Sequence, residues 1–85
     1  MKKILFEIIA HEQFQKWEVH NKKVFKRITE LLDDIRQNPF KGIGKPEPLK
    51  HQFKGYWSRR IDKEHRLVYK VNSDSIIVIS CMYHY

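Results

Sequence analysis

Cysteine is almost missing from this chain of 85 residues. Cys81 stands alone, which excludes an internal disulfide and a thiolate metal cluster, and it is expected to serve as a small buried hydrophobe on a strand. Apolar runs are short, and none approaches the roughly 18–20 residues that a membrane span requires. The opening Met1–Gln13 stretch carries Lys2 and Lys3 but reaches Glu7 after only Ile4, Leu5 and Phe6. A secretory leader needs a longer apolar core and a small-residue cleavage site, so a cytoplasmic protein with no membrane association is expected. Metal-ligand spacings such as HxxxH or DxD do not occur. The one glycine-rich stretch, GIGKPEP, lacks the strand-to-helix setting of a phosphate loop, and its prolines forbid helical continuation. Neither a metal nor a cofactor is expected.

Acidic residues are also in short supply, ten Asp and Glu against 17 Lys and Arg, for a net charge of +7. The imbalance is concentrated. Residues 1–40 hold eight basic and six acidic side chains, whereas residues 41–85 hold nine and four. Positive charge segregated in this way implies a polyanionic partner, either a nucleic acid or an acidic protein segment. A hydrophobic content of 41% supports a packed core, and the length allows one domain over residues 1–85. So short a chain is marginally stable, and a dimer or an obligate partner is compatible with it.

The pattern of apolar residues gives an order of elements. Lys3–Ile8 reads as a strand with apolar residues on both faces, hence an inner strand of a sheet. From Ala10 the period lengthens: Ala10, Phe14 and Trp17 mark a helix face. Asn21 is a candidate cap for a second helix, whose stripe is Val24, Ile28, Leu31, Leu32 and Ile35. Asn38-Pro39 ends it. All three prolines and two of the three glycines fall in residues 39–48, a stiff loop that carries Lys41, Lys45, Glu47 and Lys50 nearby at defined positions. Beyond Gly55 the period becomes two, so that Tyr56–Ile61, His65–Val71 and Ser75–Tyr83 read as strands joined by Asp62-Lys63-Glu64 and Asn72-Ser73-Asp74. Alternation puts Arg60 with Tyr56 and Ser58, and Arg59 on the opposite face. On the second of these strands Leu67, Tyr69 and Val71 point to the core, and Arg66, Val68 and Lys70 away from it. The expected fold class is α+β, with an N-terminal strand and a two-helix hairpin covering one face of a sheet. The other face is left open, and the arginines belong to it.

Metal-free cleavage of RNA takes a base for the 2′-hydroxyl, an acid for the leaving 5′-oxygen and cations for the phosphorane. The C-terminal half supplies each type: Glu47, His51, His65 and His84 as proton carriers, and Lys50, Arg59, Arg60 and Arg66 as cations. An arginine fork can hold two phosphate oxygens at once. On composition and spacing alone a basic binding module and a nuclease remain level.

The segments NPFKGIGKPEPLK (Asn38–Lys50), GYWSRRI (Gly55–Ile61), EHRLVY (Glu64–Tyr69) and the closing CMYHY (Cys81–Tyr85) resemble the Txe/YoeB family of bacterial toxins, within the RelE-like superfamily. The resemblance spans essentially the whole chain and is tightest from Asn38 onward. It implies a RelE-like, microbial-ribonuclease-like fold with a mostly antiparallel sheet of four to five strands. It also implies an endoribonuclease that cuts mRNA in the small-subunit decoding site of the ribosome, inhibits translation and is neutralised by a YefM-type antitoxin. A homodimer is plausible on the same ground. Carried over by motif, Glu47 would be the general base, His84 the general acid, and Arg66 and Arg60 the groups that brace the phosphate, with Lys50 and Tyr85 positioning it. The products would carry a 2′,3′-cyclic phosphate and a 5′-hydroxyl. Met82 departs from the family, which usually has a basic residue there, and Ile8, Ile9, Ala10 and His11 stand where polar residues and Ala-Trp are usual. The competing expectations are a ribosome-independent endoribonuclease and a non-catalytic module that binds ribosomal RNA. For Arg59 a structural or rRNA-contacting role is expected, and for His51 and His65 a surface or structural one.

Overall fold

A computed structural model describes residues 2–83. The elements run β1 (Lys3–Phe6), α1 (Ile8–His20), α2 (Lys22–Gln37), β2 (Glu47–Pro48), a 3₁₀ turn (His51–Phe53), β3 (Tyr56–Arg60), β4 (Arg66–Val71) and β5 (Ser75–Ser80). The five strands form one sheet in the order β1-β5-β4-β3-β2, antiparallel throughout except for the parallel β1–β5 pair. Both helices pack on one face of it, which makes the fold α+β as expected.

α2 forms because its apolar residues recur at helical spacing and its first turn is capped: the Asn21 side chain accepts a hydrogen bond from Val24 N at 3.2 Å. All five residues of the expected stripe are buried, Ile28, Leu31 and Ile35 completely. They meet Leu67, Tyr69, Ile76 and Val78 from the sheet, and each such apolar side chain contributes about 1.5–3 kcal/mol by leaving water. α1 is held more lightly, since only Ala10 is buried, with Phe14 and Trp17 packed at the core margin. Phe14 stacks between Phe6 and Phe25 at centroid distances of 4.9 and 4.7 Å, tying α1 to β1 and to α2.

β3 ends at Arg60 and β4 begins at Arg66, each one residue short of expectation, and the bounds of the first and last strands and the place of the first differ further. The N-terminal strand stops at Phe6, and Ile8 and Ile9 open α1 while 81% and 64% exposed. Pairing with β5 runs from Lys3↔Ser75 to Phe6↔Val78, and the Glu7 amide closes it on Val78 O at 3.0 Å, after which the chain turns away. Nor is β1 an inner strand: it is the sheet edge, with Ile4 and Phe6 half-buried on the helix side and Leu5 49% exposed on the other. The last strand ends at Ser80 rather than Tyr83, because Cys81–Tyr83 leave the β4 ladder for α1 and for the turn before β4. Cys81 is buried, as expected, but stands just past β5 rather than on a strand, and burial pushes its thiol pKa up to about 12.

Candidate active site

The register of β2, β3 and β4 places the candidate residues. Residues directly paired across a sheet share a face, so Glu47↔Ser58 and Ser58↔Val68 put the Glu47 carboxylate in one row with Ser58 and Val68. Val68 in turn pairs with Ser80, but an irregularity between Val68 and Tyr69 breaks the alternation there, and the Ser80 hydroxyl donates to Gln13 Oε1 on α1. The next row on that face is Arg60↔Arg66, and the row on its other side is Tyr56↔Lys70. This is the face turned away from the helices. Ser58 and Val68 are short and buried, while the rows beside them carry two arginines or a tyrosine and a lysine. The Lys70 ammonium lies 6.0 Å from the centre of the Tyr56 ring. Glu47 and Arg60 are exposed and Arg66 is half-buried.

Two arginines directly opposite each other repel, and a sheet gains nothing from such a pair unless an anion comes between them. Arg66 is partly fixed already: its Nη1 donates to Asp62 O at 2.8 Å and to His65 O at 3.1 Å, so its guanidinium is steered by the turn that precedes β4. Lys50 is exposed at the start of the 3₁₀ turn, where its carbonyl accepts the Phe53 amide at 3.1 Å. The structure therefore brings Glu47, Arg60 and Arg66 onto one face. His84 and Tyr85 lie outside the described residues.

Glu47 reaches this face because the loop before it is anchored from below. Arg59 is fully buried, and all five of its guanidinium N–H groups have an acceptor. Nε donates to Tyr69 Oη at 3.2 Å, Nη1 to the Asp34 carboxylate and to Ile43 O at 3.1 Å, and Nη2 to Asn38 O at 2.7 Å and Lys41 O at 3.1 Å. Tyr69 donates on to Pro39 O at 2.6 Å, and Asp34 also accepts the Ile43 amide at 3.1 Å. One buried cation thus gathers three loop carbonyls and ties them to α2. The Arg59 hydrogen bond holds the Asp34 carboxyl below the usual carboxylate range, against the opposing effect of burial. Burial pushes the Tyr69 hydroxyl up despite the same arginine. Arg60 N then donates to Gly44 O at 2.7 Å, and Gly42 and Gly44 adopt φ of +137° and +79°. A Cβ on Gly42 would stand 1.9 Å from Asp34 Oδ2, so the loop closes onto the carboxylate only with glycine there.

The arginines do not all belong to the open face. Arg59 enters the layer between sheet and α2, where it is structural; Arg60 and Arg66 face out. Alternation separates Arg59 from Arg60, but its acceptors are mostly main-chain carbonyls, which leave no mark in a sequence. A buried arginine does demand a carboxylate, and Asp34, off the apolar stripe of α2, was the available signal.

A second cluster orders the chain beyond β5. Gln13 accepts the Cys81 amide at 2.7 Å and Trp17 Nε1 donates to Cys81 O at 2.8 Å. His65 is buried against Trp17, edge to face at 4.8 Å. His51 is exposed on the 3₁₀ turn. Among the described residues no three His, Cys, Asp or Glu side chains are grouped so as to hold a metal ion, and no helix is long and apolar enough to cross a membrane.

The family model of the YoeB-like toxin of bacterial type II toxin–antitoxin systems matches residues 6–85. The chain belongs to this family. Toxin YoeB of Escherichia coli K12 is 47% identical over 98% of this chain and 99% of its own length. The Staphylococcus aureus YoeB dimer superposes with a TM-score of 0.93 at 47% identity, covering 99% of this chain and 98% of that one. The S. aureus YoeB–YefM complex gives 0.92 at 48%, over 100% and 99%. Fold and family thus agree with the resemblance carried by the KPEPLK, WSRRI and EHRLVY motifs.

Proposed function

We propose that this YoeB-family chain is an endoribonuclease that cuts mRNA in the decoding site of the ribosome by metal-independent acid–base chemistry and so inhibits translation. The observation that carries this is the convergence of Glu47, Arg60 and Arg66 on one sheet face. Glu47 takes the proton of the RNA 2′-hydroxyl, whose oxygen attacks the adjacent phosphorus. Arg66 and Arg60, facing each other across β3 and β4, stabilise the charge that grows on the phosphorane oxygens. His84 protonates the departing 5′-oxygen, leaving a 2′,3′-cyclic phosphate and a 5′-hydroxyl, and Lys50 and Tyr85 position the phosphate. No cofactor takes part, and residues 1–85 act as one cytoplasmic domain.

The partner that silences the enzyme is a YefM-type antitoxin. Net charge supports this, since an acidic segment that folds on binding complements the basic face and stabilises the domain by mass action. Homodimerisation, known for the S. aureus relative, is part of the same proposal.

The test compares cleavage of one mRNA with and without translating ribosomes, with mapping of the new RNA ends. Cuts that appear only with ribosomes and carry cyclic phosphates are expected. Equal cutting of free mRNA would assign a ribosome-independent nuclease. Tight, salt-sensitive ribosome binding with no new ends would leave only an RNA-binding module.

A further inference from the structure

We propose that Tyr56 and Lys70 form the subsite for the nucleotide that supplies the attacking 2′-hydroxyl, Tyr56 stacking on its base and Lys70 holding the phosphate on its 5′ side. The two are directly paired across β3 and β4, and they share the open face with Glu47, Arg60 and Arg66. Neighbouring rows of one face lie two residues apart along a strand, about 6.4–6.8 Å. The order across the face is Tyr56 with Lys70, then Glu47 with Ser58 and Val68, then Arg60 with Arg66. Ser58 and Val68 are short, so the surface dips between two rows of long side chains. A ribose whose 2′-hydroxyl meets Glu47 and whose 3′-phosphate meets the arginines lies across that dip. Its strand then runs 5′ to 3′ from the Tyr56 row to the Arg60 row. The base and 5′-phosphate of the same nucleotide fall one row back, on Tyr56 and Lys70.

The fold holds both side chains without using up their chemistry. Tyr56 and Lys70 are half-buried, so the sheet fixes them while part of each stays open to a ligand. The Leu49 amide donates to Tyr56 O at 2.9 Å, which ties Tyr56 to the segment that carries Glu47. The Phe53 ring stands 6.4 Å from the Tyr56 ring, tilted by 44° rather than stacked on it. The Lys70 ammonium, 6.0 Å from the Tyr56 ring centre, is at the outer limit of a cation–π contact, and among the described residues it pairs with no carboxylate. An aromatic ring beside an unpaired cation is the recurring device for single-stranded RNA, since the ring stacks on any base and the cation meets the backbone. An acidic peptide would satisfy Lys70 but would leave the ring without a stacking partner, so the pair favours RNA.

The subsite rests on the proposed ribonuclease activity, and the experiment keeps the two apart. Full-length wild type, Tyr56→Leu and Tyr56→Phe are compared in single-turnover cleavage on ribosomes, with thermal melting measured for each. The mRNA carries either its normal base or an abasic residue at the nucleotide 5′ of the mapped cut. On intact mRNA Tyr56→Leu should cut about 5- to 150-fold more slowly, the range for one lost base–aromatic stack, and Tyr56→Phe should recover most of that loss. On abasic mRNA the wild type should fall by the same factor, and Tyr56→Leu should lose nothing further. A folded Tyr56→Leu that cuts intact mRNA like wild type, or that keeps its full deficit on abasic mRNA, overturns the subsite. If Tyr56→Leu does not fold, the wild type decides, since equal rates on intact and abasic mRNA refute the stack. Lys70 is tested on the free protein with a non-cleavable 2′-O-methyl oligonucleotide. Lys70→Gln should lower the slope of log affinity against log salt by about 1, and an unchanged slope removes Lys70 from the phosphate. If the wild type cuts no RNA, the ribonuclease reading fails, and NMR titration with the same oligonucleotide still judges the subsite. Shifted Tyr56 ring and Lys70 signals support it; their absence, or shifts only with a polyglutamate peptide, refutes it.

Discussion

Replacing Arg59 tests the most highly connected side chain of the fold. Arg59→Met keeps most of the volume and removes every donor, leaving the Asp34 carboxylate, the Tyr69 hydroxyl and the carbonyls of Asn38, Lys41 and Ile43 to find other partners. Breaking a buried ion pair from one side costs about 3–5 kcal/mol. The Asp34 side chain is 32% exposed and the three carbonyls belong to exposed residues, so water recovers part of the loss and the lower figure applies. A domain of this size has roughly 4–13 kcal/mol in all, and each lost kcal/mol lowers Tm by about 4–8 °C, so a drop of about 12–24 °C is expected. Arg59→Lys should recover little, because one ammonium cannot span five acceptors. A double-mutant cycle with Asp34→Asn should show a coupling of about 1 kcal/mol or more. The pH dependence follows from the lowered Asp34 value. A carboxyl with a folded pKa below its unfolded one stabilises fully above the unfolded value, about 3.9, and that contribution disappears as pH falls through the folded value. Asp34→Asn should therefore flatten the acid limb of stability below about pH 4. A melting temperature within about 3 °C of wild type for Arg59→Met, well under the expected shift, would refute the keystone role, as would an additive cycle.

Arg66→Ala should slow cleavage by about 10²–10³-fold, the effect of removing one preorganised charge-stabilising group, with far less change in ribosome affinity; parallel losses would make it only an anchor. Glu47→Gln should cost about 10²–10⁴-fold in single-turnover cleavage with an unchanged melting temperature, since Glu47 is exposed on a two-residue strand. Cys81 should resist thiol reagents in the native state at neutral pH and react at once in denaturant, because burial keeps its thiol protonated up to about 12; rapid native labelling would contradict that burial. Gly42→Ala should lower Tm by straining the loop against Asp34, and the loss should shrink in an Asp34→Ala background.

The parts of the fold that were legible in the sequence are those set by local pattern. The α2 stripe and its Asn21 cap follow from helical spacing, and the β3–β4–β5 meander follows from alternation and turn residues. The common face of Arg60 and Arg66 follows from strand parity once the 62–64 turn is recognised. The parallel pairing of β1 with β5 has no local signature. Without it, Ile8 looks like a strand residue, although the chain has already turned into α1. β2 escaped notice because two residues, one of them Pro48, carry no periodicity; only the Ser58 and Trp57 backbones opposite make it a strand. At the site, motif resemblance singled out Glu47 and alternation separated Arg59 from Arg60. Three of the five acceptors that fill the Arg59 fork are main-chain carbonyls, and these appear only once the chain is folded.

The strand order also governs when the molecule exists at all during synthesis. β1 is made first, yet its neighbour in the sheet is β5, so Lys3 waits for Ser75 and Phe6 for Val78. Contacts so distant in sequence close late, after the meander and the helical pair have formed. A nascent chain cut short anywhere before β5 lacks Ile76, Val78 and Cys81 from its core and offers β1 nothing to pair with. Chains ended before β5 therefore leave the β4 edge and β1 unpaired and lack part of the core.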